Sequence, residues 1–181
     1  EISLGLVGSE MCIRDRGGVD NIMTYSNAQF VVLGSGDWEY EQFFKEMQAK
    51  YPGRFVLCQG FVPELARKIY GGSDIFLMPS KSEPCGLSQM VALRYGSIPV
   101  VRETGGLKDS ITDSGDGKGN GFTFQTYDTQ DMLNSVHRAI YAYNESKDGW
   151  KVLVERAMAC DNSWGRSAND YIRLYKQLIN S

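Results

Sequence analysis

The sequence predicts a doubly wound, Rossmann-like α/β domain built on a parallel sheet, and three observations predict it. From Ala28 onward, short apolar runs rich in β-branched and aromatic residues alternate with stretches of helical period. The runs are apolar at consecutive positions, so both faces of each strand need cover, as in a parallel sheet between helix layers. Glycine-containing loops follow several of the runs, where such sheets bind their ligands beyond the C-terminal strand ends.

Taken in order, Ala28–Gly34 reads as a buried strand ending in Gly34-Ser35-Gly36. Asp37 is then placed to cap a helix, its carboxylate accepting from free first-turn amides. Tyr40, Phe43, Phe44, Met47 and Tyr51 recur at helical spacing until Pro52-Gly53 stops the helix. Arg54–Cys58 is a strand, Pro63–Tyr70 a short helix and Asp74–Pro79 a strand. Gly86–Tyr95 is a helix closed by Gly96, followed by strands Ile98–Val101 and Gly121–Phe124. Between those strands, Asp113–Asn120 is expected as an exposed, flexible loop. Helices over Thr129–Asn144, Asp148–Cys160 and Ser163–Asn180 complete the chain, which has no internal repeat.

A chain of 181 residues holds one domain with a substantial core. Its 42% hydrophobic and 23% charged residues are an ordinary globular balance. Apolar runs such as Phe30–Leu33 and Ile75–Met78 fall far short of the roughly 20 residues that span a bilayer, so no membrane partner is expected. The net charge of −3 comes from 19 basic and 22 acidic residues spread along the chain, with no basic run to hold a nucleic-acid backbone. Cys12, Cys58, Cys85 and Cys160 are too scattered for a zinc site or a disulfide scaffold, and read as reduced, cytoplasmic thiols. Ile2–Gly8 lacks a preceding basic region and makes a poor signal peptide. His137 is the single histidine, so no multi-histidine metal centre is expected. Its helix carries an apolar stripe of Met132, Val136, Ala139 and Tyr143, which makes His137 a flank of the core face rather than a catalyst.

Three loops could carry chemistry. Gly34-Ser35-Gly36 opens a helix but lacks the third glycine of a dinucleotide fingerprint, so ligand contact and a tight turn stay equally open. Pro79-Ser80-Lys81-Ser82-Glu83-Pro84-Cys85-Gly86-Leu87-Ser88-Gln89 is more informative. Pro84 favours extended backbone at Glu83, and Gly86 admits close approach. The amides from Cys85 to Ser88 should then point outward at a helix start, ready for an anion or sugar hydroxyls, with Glu83 beside them. The other reading of this loop is a capping turn with a surface Glu. Arg102-Glu103-Thr104-Gly105-Gly106-Leu107 is a second glycine loop, a phosphate or ribose cradle or else a structural turn.

Glu83-Pro84-Cys85-Gly86-Leu87-Ser88-Gln89 resembles the Glu-Pro-Cys-Gly-Leu-Thr/Asn-Gln signature of bacterial glycogen and plant starch synthases. Ala92-Leu93-Arg94-Tyr95-Gly96 and Pro99-Val100-Val101-Arg102-Glu103-Thr104-Gly105-Gly106-Leu107-Lys108-Asp109 continue the pattern in order. So do Gly34-Ser35-Gly36-Asp37, Gly60-Phe61 and Asn162-Ser163-Trp164, from about Gly18 to Leu178. The resemblance implies the C-terminal half of a two-domain, B-type retaining glycosyltransferase. Such enzymes move glucose from ADP-glucose, or UDP-glucose in some members, to the 4-hydroxyl of an α-1,4-glucan. ADP-glucose is then a substrate, and no cofactor or metal is implied. By position, Glu83 is similar to the catalytic-site carboxylate that grips the donor glucose. Cys85, Gly86 and Leu87 match the donor-binding stretch, and Ser88 replaces a Thr near the distal phosphate. Phe61 matches an aromatic lying against the base, and Thr104, Gly105 and Gly106 match the phosphate-side loop.

Two departures bear on this. Related retaining transferases carry a second Glu at the position of Val91; the synthase subgroup lacks it too, so the difference narrows the family. The family's Arg-Leu-Thr-x-Gln-Lys-Gly, whose Arg and Lys hold the diphosphate, has no counterpart here: Cys12 and Gly17 take those positions. Residues 1–16 match nothing in the family and resemble translated adapter DNA, leaving 17–181 as the nucleotide-sugar-binding domain. The expectation is a fragment, inactive alone, whose partner is a missing N-terminal domain. The alternative is a non-catalytic nucleotide- or glucan-binding module on the same scaffold. A sucrose- or trehalose-type transferase is a third reading, against which Cys85 and Gln89 speak.

Overall fold

The computed structural model describes residues 2–7, 16–60 and 62–180. Six parallel strands form one sheet: β1 (Ser3–Val7), β2 (Gln29–Gly34), β3 (Phe55–Gln59), β4 (Ile75–Met78), β5 (Ile98–Arg102) and β6 (Phe122–Phe124). Their spatial order is β3-β2-β1-β4-β5-β6. Among the described residues eight α-helices accompany them: α1 (Arg16–Tyr25), α2 (Trp38–Lys50), α3 (Pro63–Gly72), α4 (Ser88–Tyr95), α5 (Gly105–Ser110), α6 (Thr129–Glu145), α7 (Lys147–Met158) and α8 (Trp164–Ile179). The doubly wound α/β architecture is as the periodicity predicts, with element ends shifted by a residue or two.

One strand lies outside that reading. Ser3–Val7 fills the middle of the sheet, pairing with Gln29–Leu33 on one side and with Ile75 and Phe76 on the other. Leu4 is fully buried, and Gly5 lies so close under α3 that an added Cβ would overlap the Ser73 side chain. Cys12 lies outside the described residues, and Gly17 sits in the first turn of α1.

The larger core follows the predicted stripes. Phe43, Phe44 and Met47 of α2 are buried, and Phe30, Phe55 and Phe44 stack in sequence at 5.4 and 5.8 Å between ring centroids. A smaller cluster of Tyr70, Phe76 and Ala92 lies under α3 and α4. Asp37 occupies the N-cap of α2, but its side chain caps nothing. Glu41 instead ties down the chain just before the helix. It accepts from the Gly36 amide at 3.4 Å and from Gln59 Nε2 at 2.7 Å, tying the α2 start to the end of β3. α4 ends as expected at Gly96, whose φ of 80° lets its amide and that of Ser97 turn back onto Leu93 and Ala92. No residue of α8 is buried, and no helix among the described residues is long and apolar enough to cross a membrane.

The segment Asp113–Asn120 is more tightly held than its composition predicts. Only Gly115–Lys118 is exposed throughout; Gly119 is buried against the backbone of Asp113. Asp113 accepts from Arg138 of α6 at 2.7 Å, from the Thr123 amide at 2.7 Å and from the Gly115 amide at 2.8 Å. Burial opposes ionisation of this carboxylate, but Arg138 and the two amides outweigh it and bring its pKa down to about 2. The folded pKa lies below the unfolded one, so the stabilisation is complete above about pH 4 and is lost as pH falls through about 2. After discounting for partial exposure, Asp113→Asn should cost about 1–2 kcal/mol at neutral pH and little near pH 2. Urea unfolding at the two pH values checks this; an equal loss at both would remove the charge argument.

Candidate functional site

The strand order reverses between β1 and β4, which opens a crevice at the C-terminal edge of the sheet. The loop that follows β4 lies at this switch point and carries Glu83 to Leu87. The loop after the adjacent β5 carries Glu103 and Thr104 into the Gly105-Gly106 start of α5. The two are joined directly: the Gly106 amide donates to the Glu83 carbonyl at 3.2 Å. A second link runs from Arg102 Nη1 to the Lys81 carbonyl at 2.7 Å. Glu83 and Thr104–Gly106 therefore share one edge, as the strand–helix alternation predicts.

The Gly105-Gly106 pair owes its small size to this junction. A Cβ on Gly105 would overlap the Glu83 carbonyl, and one on Gly106 the Cys85 carbonyl. Gly105 also sits at φ 45°, a conformation L side chains rarely adopt. Of the two readings left open by sequence, the loop-to-loop turn accounts for both glycines. Gly86 has φ 68° and packs against the Gln89 amide group, where a Cβ would lie 2.5 Å from Oε1.

Around this junction Glu83 and Ser88 are half-buried, Cys85 and Leu87 exposed and Gly86 buried. Thr104 and Gly106 are half-buried and Gly105 exposed. Among the described residues the Glu83 carboxylate has no hydrogen-bond or ion-pair partner. Among the described residues the backbone amides of Cys85, Gly86, Leu87 and Ser88 donate to no backbone acceptor; those of Leu87 and Ser88 belong to the unpaired start of α4. They lie at the N-terminal end of α4, where its dipole is positive. Nearby, burial raises the pKa of the Tyr70 phenol. Phe61 lies outside the described residues, just after Gly60, whose amide donates to the Gly34 carbonyl at 3.0 Å. His137 is exposed on α6, on the flank of its core face.

Three residues of this region had no assigned role in the sequence. Gln89 is fully buried and donates from Nε2 to the carbonyls of Gly86 (2.7 Å) and Cys85 (3.2 Å) and to Ser110 Oγ (3.1 Å). Ser110 Oγ in turn donates to the Gly106 carbonyl at 2.6 Å. Glu103 accepts from the Thr123 hydroxyl at 2.7 Å, anchoring the second loop to β6. A glutamine three residues after Gly86, at the start of the expected helix, was the available signal.

The crevice, its loops and their order along the chain match a known family. Residues 19–149 fit the family model described as glycosyl transferases group 1. The chain belongs to the glycosyl transferases group 1. Within it, a glycogen synthase of Geobacillus thermodenitrificans is 52% identical over 159 residues, 87% of this chain and 33% of the relative. A glycogen synthase of Pseudothermotoga lettingae is 49% identical over 163 residues, 89% of this chain and 33% of the relative. The catalytic domain of starch synthase IV from Arabidopsis thaliana, bound to ADP and acarbose, superimposes with a TM-score of 0.81. It is 36% identical, covering 100% of this chain and 39% of that one. These relatives bear out the glycogen and starch synthase resemblance carried by the motifs. The chain spans about one third of the length of the curated relatives it matches.

Proposed function

We propose that this chain is the nucleotide-sugar half of a retaining glucosyltransferase that elongates an α-1,4-glucan from ADP-glucose. The observation that carries the reading is the junction of two loops at the switch point, where four backbone amides and the Glu83 carboxylate are without a partner among the described residues. The similarity to a starch synthase domain bound to ADP and acarbose supports the same ligand classes here.

The chemistry asks for these groups. Breaking the glucosyl–phosphate bond builds negative charge on the departing diphosphate and positive charge on the sugar ring. Preorganised amides from Cys85 to Ser88 and the α4 dipole stabilise the former without reorganisation. Glu83 orients the glucose and softens the positive charge on its reacting carbon. Thr104 and Gly105 border the phosphate side, and Phe61 supplies a face for the base. No cofactor enters this proposal. The acceptor glucan would be presented by a facing domain beyond these residues. With Cys12 and Gly17 in place of the Arg and Lys of the family pattern, the 181-residue chain should not extend glucan by itself.

The test is incorporation of labelled glucose from ADP-glucose into glycogen, with a metal chelator present. The full-length protein carrying this chain, with the Arg and Lys positions restored, is expected to transfer; the chain alone is not. Absence of transfer by the restored protein would leave a non-catalytic binding module, and extension by the chain alone would contradict the need for both features.

A further inference from the structure

Resting on the donor-site reading above, we propose that Gln89 is a positioning residue that sets the direction of the donor-facing Gly86 and Leu87 amides and couples them to the Thr104–Gly106 loop through Ser110. The peptide unit is planar, with its N–H opposed to its C=O. A hydrogen bond to the Cys85 carbonyl therefore orients the Gly86 N–H, and one to the Gly86 carbonyl orients the Leu87 N–H. Gln89 Nε2 makes both bonds from behind, at 3.2 and 2.7 Å, from a fully buried position.

The orientation of the amide group follows from its neighbours. Ser110 Oγ spends its proton on the Gly106 carbonyl, so it accepts from Gln89, and the other two neighbours are carbonyls. Three acceptors sharing the two amide protons demand nitrogen at that end, which leaves Oε1 buried without a partner among the described residues. Such an orphan acceptor is costly. Its retention fits a side chain held for what its nitrogen does, not for the best satisfaction of its own groups. The same Ser110 bond runs on to Gly106, whose amide holds Glu83. A single side chain thus links both loops, and tilting either peptide plane would disturb the other loop.

Gln89 acts on the ligand only through backbone amides, so the readout is the amides themselves. In a ¹⁵N-labelled 181-residue chain titrated with ADP-glucose, the Gly86 and Leu87 signals should move. Gln89→Met, close in shape but without donors, should shift both signals in the free chain and raise the dissociation constant about tenfold, the weight of one or two lost hydrogen bonds. Gln89→Glu should bind more tightly as pH falls through the carboxyl range, because only the protonated acid donates; the parent should lack this dependence. It also serves as the test if Gln89→Met fails to fold. A parent that binds without moving Gly86 or Leu87 overturns the site reading and this inference with it. A parent that moves them, with Gln89→Met binding equally well or Gln89→Glu following the parent's pH profile, overturns the role of Gln89 alone.

Discussion

Replacing Gly106 with alanine is expected to destabilise the chain by about 3 kcal/mol or more, the upper range for forced overpacking. The added Cβ would overlap the carbonyl of Cys85, a backbone atom in a short loop that cannot rotate away as a side chain can. Relief requires moving the 83–88 loop off α5, which breaks the bond from the Gly106 amide to the Glu83 carbonyl. Donor binding should fall with it. Gly36→Ala is the control: nothing lies within 4 Å of its Cβ position and its backbone is not left-handed. That change should stay within about 0.5 kcal/mol, as unobstructed surface substitutions do. Urea unfolding of the two variants beside the parent separates them. Equal stability of Gly106→Ala and the parent would mean that the two loops do not meet as described.

Glu83→Gln should have the largest effect on turnover. In the full-length protein carrying this chain, kcat is expected to fall by about 10²- to 10³-fold, the scale of losing one preorganised electrostatic contact. ADP affinity should change less than threefold or so, because the side chain is assigned to the sugar and interactions made in the transition state appear in kcat. The substitution keeps shape and leaves the carbonyl that accepts from Gly106 untouched. Glucose incorporation and ADP calorimetry on the same preparation decide it. A weakened ADP affinity with intact turnover per bound donor would move Glu83 to the nucleotide.

Much of this was legible in the residues because local signals and tertiary demands agree. β4 and β5 are continuous apolar runs, Gly96 stops α4, and the Glu83–Gln89 motif carried the family. Ser3–Val7 was not legible, since a five-residue strand next to a family mismatch has no period long enough to argue for it. The Gly105-Gly106 pair was ambiguous for a physical reason: close approach of a ligand and close approach of another loop ask for the same residue. Asp113–Asn120 misled through composition, because turn residues say where the chain bends and not what then grips it. Here Arg138, 25 residues further on, supplies the grip.

The central claim is that the donor binds where the β4 and β5 loops meet. A rival place exists at the opposite end of the sheet, in a cavity of about 690 Å³ lined by Ile2, Thr24–Asn27, Ile140 and Asn144. Backbone hydrogen exchange, followed with and without saturating ADP-glucose, distinguishes the two directly. The account predicts slower exchange at Cys85–Met90 and Thr104–Leu107, with Thr24–Asn27 unchanged. Protection at Thr24–Asn27 with none at Cys85–Met90 would contradict it.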